Sequence, residues 1–285
     1  VKKRKFSLLV SFGFAVAALV FFLFPPFQNN QPPITVEKPD KGNVPALQLS
    51  QWCMSREFEQ KAYIVCRADP VRDTIRLFLN NPDGKPYFSF SNVNKKLAQN
   101  GETLAFAMNA GMYHADYSAV GLYIENGQEQ HVVSTQDGPG NFHMKPNGIF
   151  YLANGKAAVL ETQSYLQSGV KPDYATQSGP MLVIDNRIHQ RFIPNSPFLE
   201  YRNGVGVTNE GEVLFVISSQ KVNFDEFARF FRDELKTPNA LFLDGSISSL
   251  YAPEMGRKDW WHPMGPIIGA VIPQPAKPVS AESTD

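Results

Sequence analysis

Asn223-Phe224-Asp225-Glu226-Phe227-Ala228-Arg229-Phe230-Phe231-Arg232-Asp233-Glu234-Leu235-Lys236 is followed by Thr237-Pro238-Asn239-Ala240 and then by Leu241-Phe242-Leu243-Asp244. In the first part Phe224, Phe227, Phe230, Phe231 and Leu235 recur at the helical period and share one face. Asn223 is a capping residue, Glu226 stands three residues on and Pro238 lies beyond the end, so the pattern predicts a helix over 223–236. That apolar face needs a cover, and the chain leads directly into Leu241-Phe242-Leu243, a short apolar run suited to a buried strand. A helix therefore packs beside a strand that ends at Asp244.

Working outward, apolar stretches of strand length recur at 63–66, 75–79, 104–108, 120–124, 148–152, 181–184, 205–207, 213–217 and 267–272. Asn126-Gly127 precedes 128–133 and Asn154-Gly155 precedes 156–160. Both residue types tolerate the positive φ that tight hairpins demand, so antiparallel pairing dominates. Ser91 to Gln99, with Ser91 as cap and Gly101 as stop, reads as a second, short helix. The expected class is α+β: one sheet-rich domain of mainly antiparallel or mixed strands with a few packed helices.

The flanks differ from this domain. Lys2, Lys3, Arg4 and Lys5 precede an uncharged run from Phe6 to Phe24 that stops at Pro25 and Pro26. Such a run is long enough to span a bilayer, and the cations should stay on the cytoplasmic side. Residues 1–24 thus read as an export segment, either a cleaved signal or, with no clear cleavage site in view, a retained inner-membrane anchor. Residues 25–50, rich in Pro, Asn, Gln and Lys, read as a flexible linker, and 274–285 as a disordered tail. That leaves 51–273 as the folded domain, outside the cytoplasm and in the periplasm.

The chain has 27 basic and 27 acidic residues; without the four cations at positions 2–5 the balance is 23 against 27, a net charge of −4. With that balance and no basic run beyond positions 2–5, nucleic acid is not expected as a partner. Cys53 and Cys66 are the only cysteines, and an oxidising compartment would permit a bridge between them. The histidines at 114, 131, 143, 189 and 262 are scattered singly, which does not suit zinc. No Gly-x-Ser-x-Gly elbow, P-loop or His-Glu-x-x-His is present, which argues against serine hydrolases, nucleotide enzymes and zincins.

Chemistry is expected where buried strands end in polar, glycine-containing loops, because strand ends hold side chains firmly and glycine admits a ligand to the backbone. Five segments fit: Asn109-Ala110-Gly111-Met112-Tyr113, Pro146-Asn147-Gly148, Gln177-Ser178-Gly179-Pro180, Arg202-Asn203-Gly204 and Leu243-Asp244-Gly245. Each alone is ordinary turn chemistry. Together and in this order they resemble the phosphodiester glycosidase family, over about residues 60–272. One departure is visible: the family often has a run of glycines after the aspartate, whereas here Gly245 is followed by Ser246-Ile247-Ser248-Ser249.

The resemblance implies cleavage of a sugar from a sugar-1-phosphodiester, with a carbohydrate or phosphoglycan as substrate. Such a reaction needs stabilisation of an oxocarbenium-like centre, a group acting on water or on the anomeric carbon, and donors for the departing phosphate. A phosphomonoester leaves readily, so one carboxylate suffices. Asp244 is the candidate, as nucleophile, base or electrostatic stabiliser. The planar fork of Arg202 suits the phosphate. Asn109, Asn147 and Gln177 suit sugar hydroxyls, with Ser178 and Ser248 adding hydrogen bonds, although buried turn amides would read the same way. His114 and His143 flank two of the loops and are candidate acid–base groups.

Trp260-Trp261-His262 is expected to pack against the core, with stacking on a sugar ring as the alternative use. No cofactor is required. A divalent cation bridging Asp244 and the phosphate is compatible with the residues, though no calcium-loop spacing is present. The metal question and the oligomeric state stay open at this stage. The competing reading is a cell-envelope protein of the same fold that binds a glycan or phosphoglycan without cleaving it.

Overall fold

The computed structural model describes residues 52–245 and 247–274. The export segment, the linker, Ser246 and nearly all of the tail lie outside the described residues.

In chain order the elements are β1 (Cys53–Phe58), β2 (Lys61–Ala68), β3 (Thr74–Phe78), α1 (Phe90–Ala98), β4 (Glu102–Asn109), β5 (Tyr123–Glu125), β6 (Gln128–His131), β7 (Gly148–Ala153) and β8 (Lys156–Glu161). They continue with α2 (Thr162–Ser168), β9 (Tyr174–Ser178), β10 (Met181–Ile184), β11 (Arg187–Ile188), β12 (Asn203–Val207), β13 (Val213–Ser218), α3 (Phe224–Arg229), β14 (Asn239–Phe242), β15 (Leu250–Ala252), β16 (Arg257–Lys258) and β17 (Ile267–Pro273). Among the described residues strand takes 41% and helix 15%, and the strands form three antiparallel sheets, so the class is α+β and sheet-rich.

The largest sheet has the order β1-β2-β13-β12-β14-β10-β11; the second is β16-β15-β4-β17-β3; the third is β6-β5-β9-β7-β8. All three contribute to one central core, with Phe215 and Val205 from the first, Phe106 and Ile268 from the second, and Tyr123 and Phe150 from the third. Each sheet is covered on its other face by a helix: α3 on the first, α1 on the second and α2, through Tyr165, on the third. Strands buried on both faces should read as unbroken apolar runs rather than alternating ones. Strand β13 shows why: Val213, Phe215 and Ile217 enter the central core, while Leu214 and Val216 meet α3.

Helix α3 begins as expected. The Asn223 side chain accepts from the Glu226 N–H, and the Glu226 carboxylate accepts from the Asn223 N–H, a reciprocal capping box. The helix then widens into a π-helical segment over Phe230–Glu234, where the Leu235 N–H reaches back to the Phe230 carbonyl. Phe230 and Phe231 are adjacent yet both fully buried, and the wider turn lets neighbouring residues share the inner face. Opposite them, Gly204 and Gly206 of β12 supply the close approach. A Cβ at Gly206 would stand 2.9 Å from the Phe231 ring, and one at Gly204 3.2 Å from the Phe227 ring and 2.8 Å from the Leu241 carbonyl. These two glycines let α3 lie on the sheet.

Several expectations need correction. Helix α1 is capped by Ser89, not Ser91: the Ser89 hydroxyl accepts from the Asn92 N–H, and Phe90 must lie inside the helix to turn inward with Val93 and Leu97. The 120–124 run is strand only from Tyr123, because the Leu122 N–H donates to the Gln177 side chain instead of a neighbouring strand. Gln177 and Ser178 end strand β9 rather than lying in a loop. Trp260 and Trp261 do not pack into the core; both are exposed and stack on each other at 4.4 Å. Strands β1, β9, β11, β15 and β16 and helix α2 were too short or too poor in apolar residues to be read in advance.

Cys53 and Cys66 face each other across the β1–β2 pair and form a disulfide, with Cα atoms 3.9 Å apart. It ties the edge strand β1 to the sheet that carries α3.

Candidate active site

Strands β4, β12 and β14 deliver their C-terminal or N-terminal ends to one place. The Asp244 N–H donates to the Ala110 carbonyl and the Leu243 N–H to the Asn203 carbonyl, which joins the end of β14 to both neighbours. Asn109 reinforces the junction: its Nδ2 donates to the Asp244 carbonyl at 2.7 Å, and its Oδ1 accepts from the Ser249 N–H at 2.9 Å. Asn203 donates to the Asn109 carbonyl at 3.0 Å. Ser248 donates its hydroxyl to the Tyr201 carbonyl at 3.1 Å and lies 3.3 Å from Asn203 Oδ1. The turn carrying Asp244 is therefore held from both sides by buried amides, as a rigid reactive group requires.

Three cavities meet at Gly245. The first, about 510 Å³, is lined by Asp244, His114, His143, Tyr113 and Asn141. The second, about 710 Å³, is lined by Arg202, Arg191, Phe192, Phe224, Phe242 and again Asn141. The third, about 400 Å³, is lined by Ser248, Tyr201, Trp261, His262, Arg257 and Asp259. Asp244, Arg202, Ser248, His114 and His143 thus come together around one cleft. Asn109, Asn147, Gln177 and Ser178 do not line it.

Arg202 is buried, yet no carboxylate forms an ion pair with it among the described residues. Its Nε donates to the Val222 carbonyl at 2.9 Å and its Nη2 to the Phe198 carbonyl at 3.3 Å. The guanidinium lies 3.7 Å over the Phe224 ring and 5.5 Å from that of Phe242. Burial draws its pKa down from the ordinary 12.5 to about 10, against the opposing pull of Glu200 and Glu226. A desolvated cation of this kind suits an anionic ligand. Across the cleft, burial foremost and the Asp244 charge next push the Tyr113 phenol well above its usual value.

Asn147 and Gln177 spend their amides on the frame. Asn147 donates to the Phe142 carbonyl at 3.0 Å and accepts from the Thr162 hydroxyl at 2.7 Å. Gln177 Oε1 accepts from the N–H groups of Leu122 and Ser134, at 3.0 and 2.9 Å, while its Nε2 donates to the Ser134 carbonyl and the Thr162 hydroxyl. These bonds hold the segment 134–143 that forms the outer wall of the Asp244 cavity. Ser178 is buried, and its hydroxyl meets no hydrogen-bond partner among the described residues. His143 Nδ1 lies 3.1 Å from the Gln136 carbonyl, which fixes the ring on that wall.

Tyr113, Asn141, Arg191, Asn203 and Phe224 belong to the site as well. Asn203 carried a signal, being the middle of Arg202-Asn203-Gly204. Phe224 reads in sequence only as part of a helix face, and nothing in the 137–141 run marks Asn141. Among the described residues no group of three or more His, Cys, Asp or Glu is placed to hold a metal ion.

The family model for phosphodiester glycosidases matches residues 102–266, which contain all the strand ends above. The chain belongs to the phosphodiester glycosidase family. The Escherichia coli K12 protein YigE, itself uncharacterised, is 32% identical over 191 residues, 67% of this chain and 73% of YigE. The catalytic domain of zebrafish N-acetylglucosamine-1-phosphodiester alpha-N-acetylglucosaminidase, solved in a form auto-inhibited by its pro-peptide, shares the fold. Its TM-score is 0.54 at 14% identity, covering 77% of this chain and 81% of that domain.

Proposed function

We propose that this phosphodiester glycosidase family member is an exported hydrolase that splits a sugar-1-phosphodiester into the free sugar and a phosphomonoester. One observation carries the reading: the carboxylate of Asp244, on a turn whose backbone is held on both sides, and a buried guanidinium without a carboxylate partner among the described residues, Arg202, line adjoining cavities that meet at Gly245. The sugar takes the Asp244 cavity and the phosphate meets Arg202.

In the reaction the bond between the anomeric carbon and the phosphate oxygen breaks, and its electron pair leaves with the phosphate. Asp244 stabilises the positive charge on the anomeric carbon and takes the proton of the water that attacks it. Arg202 receives the charge developing on the leaving phosphate, its donors held in place by the stack on Phe224. A phosphomonoester needs little protonation to depart, so no second carboxylate is called for. His114 and His143 line the same cavity and pass the proton to solvent. Asn109, Asn147 and Gln177 act by positioning this wall and the Asp244 turn, and Ser248 borders the neighbouring cavity.

The Cys53–Cys66 disulfide supports an oxidising, extracytoplasmic location. The apolar run 6–24 is the export segment in this reading, anchoring the chain to the inner membrane, with 25–50 as linker, 51–273 as the periplasmic catalytic domain and 274–285 as tail. Among the described residues no helix is long and apolar enough to cross a membrane.

The test incubates the full chain with a panel of sugar-1-phosphodiesters, N-acetylglucosamine first, and follows released reducing sugar and phosphomonoester. Turnover should fall at least about a thousandfold in Asp244→Asn, in the range that loss of a central catalytic group produces. Binding should persist. Binding by the parent chain with no turnover of any diester would instead establish a glycan-binding protein of this fold.

A further inference from the structure

Large apolar side chains exposed on this protein are concentrated at the mouth of the cleft. Of nine among the described residues, six fall in two short segments that border it: Ile193, Phe198, Leu199 and Tyr201 on the β11–β12 connection, and Trp260 and Trp261 on the connection from β16 to β17. Phe198 is 78% exposed and Ile193 68%, values that ordinary surface packing would reduce. Both line the cavity that holds Arg202.

That cavity joins two chemistries. Its inner end is Arg202, buried and without a carboxylate partner among the described residues, with its guanidinium on Phe224. Its walls include Met144, Phe192, Phe224 and Phe242, its outer lip Ile193 and Phe198, and the polar residues Asn141, Arg191, Ser196 and Glu200 also line it. A cation at the base and an apolar path leading from it to solvent complement one kind of molecule, an alkyl phosphate. Most of that path is aromatic or aliphatic, which favours an apolar group beyond the phosphate.

We propose that the group on the far side of the phosphodiester is a long-chain lipid alcohol, seated along this cavity with its phosphate on Arg202. This rests on the glycosidase reading for the other half of the substrate, since it concerns which alcohol the same phosphate carries. The exposed lip of Ile193 and Phe198 then lies where the chain leaves the protein, while Trp261 lines the neighbouring cavity that shares Glu200 and Gly245 with this one.

The test separates the two readings by measuring binding apart from turnover. The full chain is titrated calorimetrically with ethyl phosphate and with decyl phosphate, the latter below its micellar concentration. Each methylene taken out of water is worth about fourfold in affinity, so three seated methylenes approach sixtyfold. Decyl phosphate should bind at least about tenfold more tightly. The ratio should shrink severalfold in the double variant Ile193→Ser, Phe198→Ser, whose exposed side chains are not needed for folding, as its thermal unfolding midpoint would verify.

Equal affinity for the two phosphates, or a preference unchanged in the double variant, overturns the lipid assignment. A parallel assay of sugar-1-phosphoethyl hydrolysis reports on the glycosidase reading alone. A decyl preference without hydrolysis keeps the lipid site and removes the glycosidase, whereas hydrolysis without the preference does the reverse.

Discussion

Replacing Arg202 with Met separates what this residue does for the fold from what it does for a ligand. The side chain is buried, and its pKa falls from 12.5 to about 10. That difference corresponds to about 3 kcal/mol against the charged form in the folded state. Because the folded value lies below the unfolded one, the cost is fully present at neutral pH and is relieved only as pH rises from about 10 towards 12.5. Opposing it are two hydrogen bonds to backbone carbonyls, together about 2–3 kcal/mol, and the stack on Phe224, about 1–2 kcal/mol.

The two sides come within about 2 kcal/mol of each other, so Arg202→Met should shift stability little. The thermal midpoint should move by less than about 8 °C for a domain of this size. Loss of the phosphate's charged partner should lower kcat/KM by about 2–5 kcal/mol, from roughly thirtyfold to several thousandfold. Arg202→Lys keeps the charge but loses the planar fork and the stack, and should fall between. The assay pairs chemical denaturation with kcat/KM on the same preparations. Destabilisation beyond about 4 kcal/mol, or kcat/KM within threefold of the parent, would refute the assignment and make Arg202 a structural residue.

Gln177→Leu should behave in the opposite way, since it leaves the buried N–H of Leu122 and the partly buried N–H of Ser134 without this partner; a loss of about 1–3 kcal/mol in urea unfolding is expected, with Michaelis constants changed less than the stability. Gly245→Ala puts a Cβ into the Phe242 ring, and the displaced Asp244 turn should cost about 1–3 kcal/mol and most of the turnover, read by calorimetry and the sugar-release assay together. Reducing the Cys53–Cys66 bridge frees a loop with a sequence separation of 13 and should lower unfolding free energy by about 3 kcal/mol; an unchanged denaturation midpoint with reductant would contradict the bridge.

Much of this protein could be read before any tertiary structure. The α3 capping box, the cores of strands β2–β8, β10, β12–β14 and β17 and the antiparallel class follow from local rules: side-chain period, cap chemistry and the φ preferences of Asn-Gly turns act over a few residues and leave their mark in order along the chain. Asp244 was visible as a candidate for the same reason, standing where an apolar run ends beside a glycine, and Arg202 as one that immediately precedes a glycine-containing strand. What the local pattern could not distinguish was an amide that faces a cavity from one that braces it. Asn147 and Gln177 have the same residue types and the same glycine neighbours in either role, and only the positions of Phe142, Ser134 and Thr162, distant in sequence from one or the other, assign them to the frame. The glycines of β12 are a further case, serving the approach of α3 rather than of a ligand. Tertiary structure alone decided that Phe224 leaves the ordinary duty of a helix face to carry Arg202, and that the tryptophan pair stands in solvent. Exposure and partnership depend on which surfaces meet across the whole chain, and sequence spacing records neither.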